Sequence, residues 1–184
     1  MPGPLDLQAL FDLGCAVGDR LAARGETIAV SESSAGGLLS AALLARAGAS
    51  AYYLGGAVLY TRRAGRLLTT LTAEDMAGLR SSSPPYAQLL ARHQRQRFKA
   101  SWGLAETGAA GPSGNTYGDP AGHSCLAVDG PVAMQRLLRT DSDHRADNML
   151  RFAMAALQLL AEALDAAGPP VITPATGAAP ETPR

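Results

Sequence analysis

Thr27-Ile28-Ala29-Val30 runs directly into Ser31-Glu32-Ser33-Ser34-Ala35-Gly36-Gly37, and then into Leu38-Leu39-Ser40-Ala41-Ala42-Leu43-Leu44. The first four residues form a short β-branched run that reads as a strand. The glycine pair marks a turn, and the apolar stretch from Gly36 to Leu44 opens a helix. Upstream, Leu7, Leu10, Phe11, Gly14, Val17, Gly18 and Leu21 follow the three-and-four spacing of an amphipathic helix, with Gly25 as its stop. Helix, strand, glycine turn and helix in that order predict a layered α/β domain.

Downstream, Tyr52 to Tyr60 reads as a second strand region interrupted by Gly55-Gly56. Ser83-Pro84-Pro85 supplies a cap and a first-turn proline for a helix running to about Lys99. Ser101 to Glu106 predicts a third strand, and a glycine-rich loop from Thr107 to Gly122 leads to a strand over His123 to Val128. Val132 to Leu138 pairs with that strand as a hairpin, so the sheet is expected to be mixed. Asp141-Ser142-Asp143 offers N-caps for a closing helix striped by Ala146, Met149, Leu150, Ala153, Leu157, Leu160 and Leu164. The expected fold is a three-layer α/β/α sandwich over residues 1–166. From 167 to 184 the chain is rich in Pro, Gly, Thr and Ala and reads as a disordered tail.

Composition narrows the function classes. The 184 residues are 47% hydrophobic and 17% charged, enough for one sizeable core without metal or disulfide staples. Sixteen basic and sixteen acidic side chains cancel, which excludes the basic footprint of a dedicated nucleic-acid binder. No apolar run approaches the roughly 20 residues of a membrane span, and the N-terminus lacks a signal-like pattern, so a soluble cytoplasmic protein is expected. Cys15 and Cys125 have no CxxC spacing and read as buried free thiols. His93 and His144 fall in presumed exposed helices without partners at ligand spacing, so no metal is expected. Arg92, Arg95, Arg97 and Lys99 read as a solvated helix face.

Two segments could carry chemistry. At the strand-to-helix junction, a hydroxyl of Ser31 to Ser34 faces backbone N–H groups left unpaired by the first helical turn, a geometry suited to a nucleophile beside an oxyanion site or to an anion clamp. Plain helix capping accounts for the same residues. Thr107-Gly108-Ala109-Ala110-Gly111-Pro112-Ser113-Gly114-Asn115 matches neither the phosphate loop nor the dinucleotide fingerprint, yet its glycines let backbone N–H groups approach a phosphate or carboxylate at the sheet edge. A surface loop is the other reading. His123 could orient a substrate or act as a base, or could be structural.

Taken together, Ser31 to Gly37, Ala49-Ser50-Ala51-Tyr52-Tyr53-Leu54-Gly55-Gly56-Ala57-Val58-Leu59-Tyr60, and Thr107 to Pro112 resemble the CinA C-terminal domain family, the nicotinamide-nucleotide amidohydrolases, in order and spacing over about residues 7–165. The resemblance implies a domain, often homo-oligomeric, that hydrolyses the carboxamide of nicotinamide mononucleotide, releasing ammonia. The partner is then a small-molecule nucleotide, without nucleic acid, membrane, cofactor or metal. It also implies Ser33 as nucleophile, Ser34 beside it, Gly36-Gly37 or neighbouring backbone N–H groups as the oxyanion site, and Thr107, Gly108, Gly111 and Gly114 for the nucleotide phosphate.

This sequence departs from the family where the chemistry is implied. The family's Tyr-Ser-Asn-x-x-Lys motif begins at Tyr60 and places Gly65 at the lysine that should activate the serine. Arg66 follows, but a guanidinium stays protonated and cannot act as a base. Ser34 and Ala35 replace cysteine and threonine, and Asn115 to His123 replaces the stretch leading into Lys-Pro-Val-Gly-Thr. A serine without a proton acceptor is a poor nucleophile. An enzyme would therefore need a substitute base from Tyr60, His123 or Glu32; a binding module would keep the pocket without turnover.

Overall fold

The computed structural model describes residues 6–169. Most of the tail predicted for 167–184 therefore lies outside the described residues. Five strands form one mixed sheet in the order β2-β1-β3-β4-β5: β1 (Ile28–Glu32), β2 (Tyr53–Val58), β3 (Trp102–Ala109), β4 (His123–Asp129) and β5 (Met134–Arg139). β1 runs parallel to β2 and β3, and β4 runs antiparallel to β3 and β5. The hairpin expected over 123–138 is present.

Among the described residues, five α-helices and a short 3-10 turn (Ala49–Ala51) complete the order: α1 (Leu7–Arg24), α2 (Leu38–Leu44), α3 (Arg62–Leu68), α4 (Pro84–Phe98) and α5 (Arg145–Ala166). α1, α2 and α5 pack together on one face of the sheet, where Val30, Leu104, Leu126 and Val128 meet Leu10, Leu39, Leu157 and Leu160. On the other face α4 lies over β3 and β4, with Ala87, Leu90 and Ala91 against Ala105, Cys125 and Ala127. The result is the α/β/α sandwich. Trp102 is fully buried, and its indole N–H donates to Glu26 at 2.7 Å.

Several boundaries differ from the sequence reading for local reasons. β1 continues through Ser31 and Glu32, and β3 continues through Thr107 and Gly108 to Ala109, because both stretches are paired with neighbouring strands. β2 passes unbroken through Gly55-Gly56. Gly36 and Gly37 do not open α2: their φ values of 69° and 101° are left-handed, and Gly37 serves as N-cap without a side chain. Arg62–Leu68 forms a helix the sequence reading missed, since it buries no residue and so carries no apolar stripe. None of Asp141, Ser142 and Asp143 caps α5; His144 occupies the cap position without a side-chain bond. The basic residues of α4 are not simply solvated, since Arg95 pairs with Asp129 at 2.6 Å and Arg97 donates to the Leu68 carbonyl. Cys125 is buried, whereas Cys15 is only half-buried, and both are free.

The topology reverses beside β1. The chain leaves it for β2 on one side and returns to β3 on the other, so a crevice opens beyond the carboxyl ends of β1 and β3, where open α/β sheets bind ligands. At the end of β1 the side chain of Glu32 turns toward α2, where its carboxylate accepts the N–H groups of Gly37, Leu39 and Ser40 at 2.9, 3.0 and 2.8 Å. This carboxylate does for α2 what an N-cap side chain does elsewhere.

Two stability predictions follow from this packing. Glu32→Ala leaves several N–H groups without their acceptor in a mostly buried setting and should cost more than about 2 kcal/mol, at roughly 1–3 kcal/mol for each buried donor left unpaired. The melting temperature should fall by about 4 °C or more, and an unchanged value would show that α2 needs no such cap. At Gly14, an added Cβ would sit under 3.0 Å from the backbone carbonyl of Ala42. Gly14→Ala gains about 1 kcal/mol of helix propensity. It also forces α1 and α2 apart, an overpacking cost of about 1–3 kcal/mol. Because the obstacle is backbone rather than a rotatable side chain, net destabilisation is expected, and a raised melting temperature would contradict it.

Candidate active site

A cavity of about 680 Å³ occupies the crevice. Ser33 and Ser34 line it from the end of β1, and Tyr60 and Thr61 line it from the chain after β2. Thr107, Gly108, Gly111 and Gly114 line it from the end of β3 and the loop beyond. Residues far apart in sequence thus share one cavity. Gly65, where the resemblance places a lysine, also lines it, and nothing lies within 4 Å of the place its Cβ would take.

The two serines differ sharply. Ser33 is half-buried, and among the described residues only its backbone is bonded, its N–H donating to Glu106 Oε2 at 3.1 Å. Ser34 is 3% exposed, and its hydroxyl donates to Glu106 Oε1. Glu106 is fully buried on β3 and also accepts the Ala35 N–H at 2.8 Å and the Ser124 hydroxyl at 3.0 Å. Burial pushes this carboxyl above the ordinary carboxylate range, while the four hydrogen bonds pull it back toward the charged form.

The other residues expected at the site are placed differently. The Gly37 N–H is taken by Glu32, and the Gly36 N–H donates to the Ser33 carbonyl at 3.2 Å. Neither glycine lines the cavity, so the expected oxyanion site at Gly36-Gly37 is corrected. Two buried carboxylates have claimed the donors that the sequence reading left open. Glu32 is thereby a capping group rather than a base. His123 is buried, with Nε2 2.9 Å from the Ser82 carbonyl and 3.4 Å from Cys125 Sγ, and it is absent from the cavity lining. Its ring holds the Ser82 corner instead of facing Ser33. The buried Cys125 thiol, which also meets the Ser82 carbonyl, is pushed up to about 12 by burial, which disfavours the nucleophilic thiolate.

Sequence reasoning missed the cationic wall. Arg62, Arg66, Arg80 and Arg145 all line the cavity, and among the described residues no Asp or Glu does. Arg62 and Arg66 share one face of α3 at helical spacing. Arg80 holds Asp119 through two bonds of 2.5 and 3.2 Å. Asp119 is raised by burial but brought below the usual carboxylate range by Arg80 and Asn115. Arg145 donates to the Gly111 carbonyl at 2.7 Å and to the Tyr60 hydroxyl at 3.0 Å, with its guanidinium over the Tyr60 ring. Arg62 donates to the Tyr117 hydroxyl at 3.0 Å. Of the four, Arg80 alone is paired with a carboxylate among the described residues. The available signal was the i, i+4 pair at 62 and 66, hidden in a segment without an apolar face. Among the described residues there is no cluster of metal-binding side chains and no helix long and apolar enough to cross a membrane.

Comparisons with known proteins agree with this fold. Residues 11–164 match the family model for the CinA C-terminal domain. A CinA-like protein of Anaeromyxobacter sp. (strain K) is 41% identical over 145 residues, covering 73% of this chain and 36% of that protein. A CinA-like protein of Mycolicibacterium gilvum is 40% identical over 162 residues, covering 84% of this chain and 37% of that protein. The chain thus spans little more than a third of the length of these relatives. Among solved structures, a CinA superfamily protein from Klebsiella pneumoniae superposes with a TM-score of 0.78 at 28% identity, over 85% of this chain and 98% of its own. The competence/damage inducible protein CihA from Agrobacterium tumefaciens gives 0.77 at 27% identity, over 85% and 95%. Sequence and architecture agree over the same span, and the chain belongs to the CinA C-terminal domain family.

Proposed function

We propose that this protein hydrolyses the carboxamide of a small phosphorylated nucleotide, nicotinamide mononucleotide or a close relative, releasing ammonia, with a serine hydroxyl of the Ser33-Ser34 turn as nucleophile. The observation that carries the reading is the lining of the cavity. It is of a size that holds a nucleotide. Its lining includes Ser33, Ser34 and four arginines, and among the described residues no carboxylate. Glu106 and Glu32 already take the N–H groups of Ser33, Ala35, Gly37, Leu39 and Ser40, so the phosphate belongs at the arginine wall, which leaves the uncharged amide nearest the serines.

A second reading, binding without turnover, is favoured by one specific observation. The Ser33 hydroxyl has no acceptor among the described residues, and Gly65 stands at the family's lysine position. The two readings separate in one assay series. The purified protein is incubated with nicotinamide mononucleotide, ammonia is measured, and affinity is measured by calorimetry. Hydrolysis predicts ammonia release that the double variant Ser33→Ala/Ser34→Ala abolishes. Binding alone predicts heat of association with no ammonia. Neither signal would end both readings. In either case Arg66→Ala and Arg145→Ala should weaken binding of the phosphorylated ligand by about 10-fold each, the scale of one charge-assisted contact.

Gly65→Lys tests the lost lysine directly. Gly65 lies in α3 with open space around its Cβ and is not among the positive-φ residues, so the substitution is sterically free and should gain several tenths of a kcal/mol in helix propensity. If the natural protein only binds, this variant should acquire ammonia release that Ser33→Ala removes. If the natural protein already turns over, a new ammonium at position 65 should add less than the 10² to 10⁴ range that general bases typically contribute.

A further inference from the structure

Two adjacent serines line the same cavity, and among the described residues only the Ser34 hydroxyl has a proton acceptor. We infer that Ser34, with Glu106 as its general base, is the nucleophile of this site. The inference rests on the hydrolytic reading and assigns its chemistry to a pair the family resemblance does not provide, since that resemblance puts the nucleophile at Ser33 and its activating group at position 65.

The geometry permits proton transfer. Glu106 Oε2 is occupied by the N–H groups of Ser33 and Ala35, neither of which can release a proton. Oε1 faces two hydroxyls, Ser34 and Ser124. Its two lone pairs suit this arrangement: one receives the Ser124 hydrogen bond and holds the carboxylate in place, and the other takes the Ser34 proton. A capping role does not account for Ser34. The N-cap of α2 is Gly37, the first-turn donors belong to Glu32, and the Ser34 hydroxyl points back to β3 rather than forward to the helix.

In the reaction, Ser34 Oγ forms a bond to the amide carbon, the carbonyl π pair moves to oxygen, and the Oγ proton passes to Glu106 Oε1. Collapse of the tetrahedral species breaks the C–N bond, and the departing nitrogen takes the proton from Oε1 and leaves as ammonia. Water then attacks the Ser34 ester and gives its proton to Oε1. The C–Oγ bond breaks, and Ser34 recovers its proton from Glu106. The sum is amide plus water to acid plus ammonia.

The test is active-site labelling of the full chain with a fluorophosphonate, followed by peptide mass spectrometry, run beside the ammonia assay on nicotinamide mononucleotide. The adduct is expected on Ser34, and Glu106→Gln should slow its formation by about 10²-fold or more. Mapping of the adduct to Ser33, absence of any adduct, or an unchanged labelling rate in a folded Glu106→Gln protein would overturn the assignment. Should Glu106→Gln fail to fold by circular dichroism, the mapped position in the wild-type protein decides alone. Labelled Ser34 without ammonia release supports the pair and tells against the nucleotide-amide reading. Ammonia release with the adduct on Ser33 does the reverse.

Discussion

The carboxylate of Glu106 is the contact on which the site depends. It sits at zero exposure on the central strand pair and receives, from three consecutive residues, one N–H, one hydroxyl and another N–H. A turn of that shape would otherwise point several donors at an interior without water, at roughly 1–3 kcal/mol for each one left unpaired. The arrangement therefore fixes the conformation of residues 33–35, and with it the placement of the two serines at the cavity. A carboxyl buried so deeply is tolerable only because its oxygens are fully bonded, and removing either side of the arrangement would leave the other stranded.

Glu32 repeats the device one strand away. The last paired rung of β1 and β3 joins Ser31 to Ala105, and the next residue on each strand is a glutamate. The two carboxylates divide the donors between them: Glu106 takes the turn at 33–35, and Glu32 takes the start of α2. Together they explain why the junction, which looks like an anion site from its sequence, is not one. Its positive backbone potential is already neutralised from within the protein.

Much of this was legible beforehand. The short β-branched run at Ile28, the stripe of α5 and the Ser-Pro-Pro start of α4 each express a local rule strongly, and each element appears where that rule puts it. Elements without an apolar face were not legible, because periodicity reports burial: α3 buries nothing and was invisible. The site divided along the same line. Ser33, Tyr60 and the Thr107 to Gly114 stretch could be singled out from motif order. Glu106 sat within an apolar run whose strand assignment said nothing of its partners, and the hydrogen bonds to Ser34 and Ser124 span 72 and 18 residues of sequence. His123 misled for the converse reason, since its titratable ring is committed to a backbone carbonyl supplied by Ser82, 41 residues earlier.

The departures from the family pattern are physically coherent once charge is placed in three dimensions. Acids stand behind the serine turn with their lone pairs filled, and guanidiniums stand across the cavity, three of them without a carboxylate partner among the described residues. A lysine at position 65 would lie three residues from Arg62 and one from Arg66 on the same short helix. Two neighbouring cations would depress its pKa, which would help it act as a base while weakening its hold on a phosphate. On the proposed reading, glycine there leaves anion recognition to side chains that cannot lose their charge at any working pH. Any proton transfer must then come from a group outside the cationic wall, and among the side chains bonded to the serine turn, Glu106 is the one able to accept a proton.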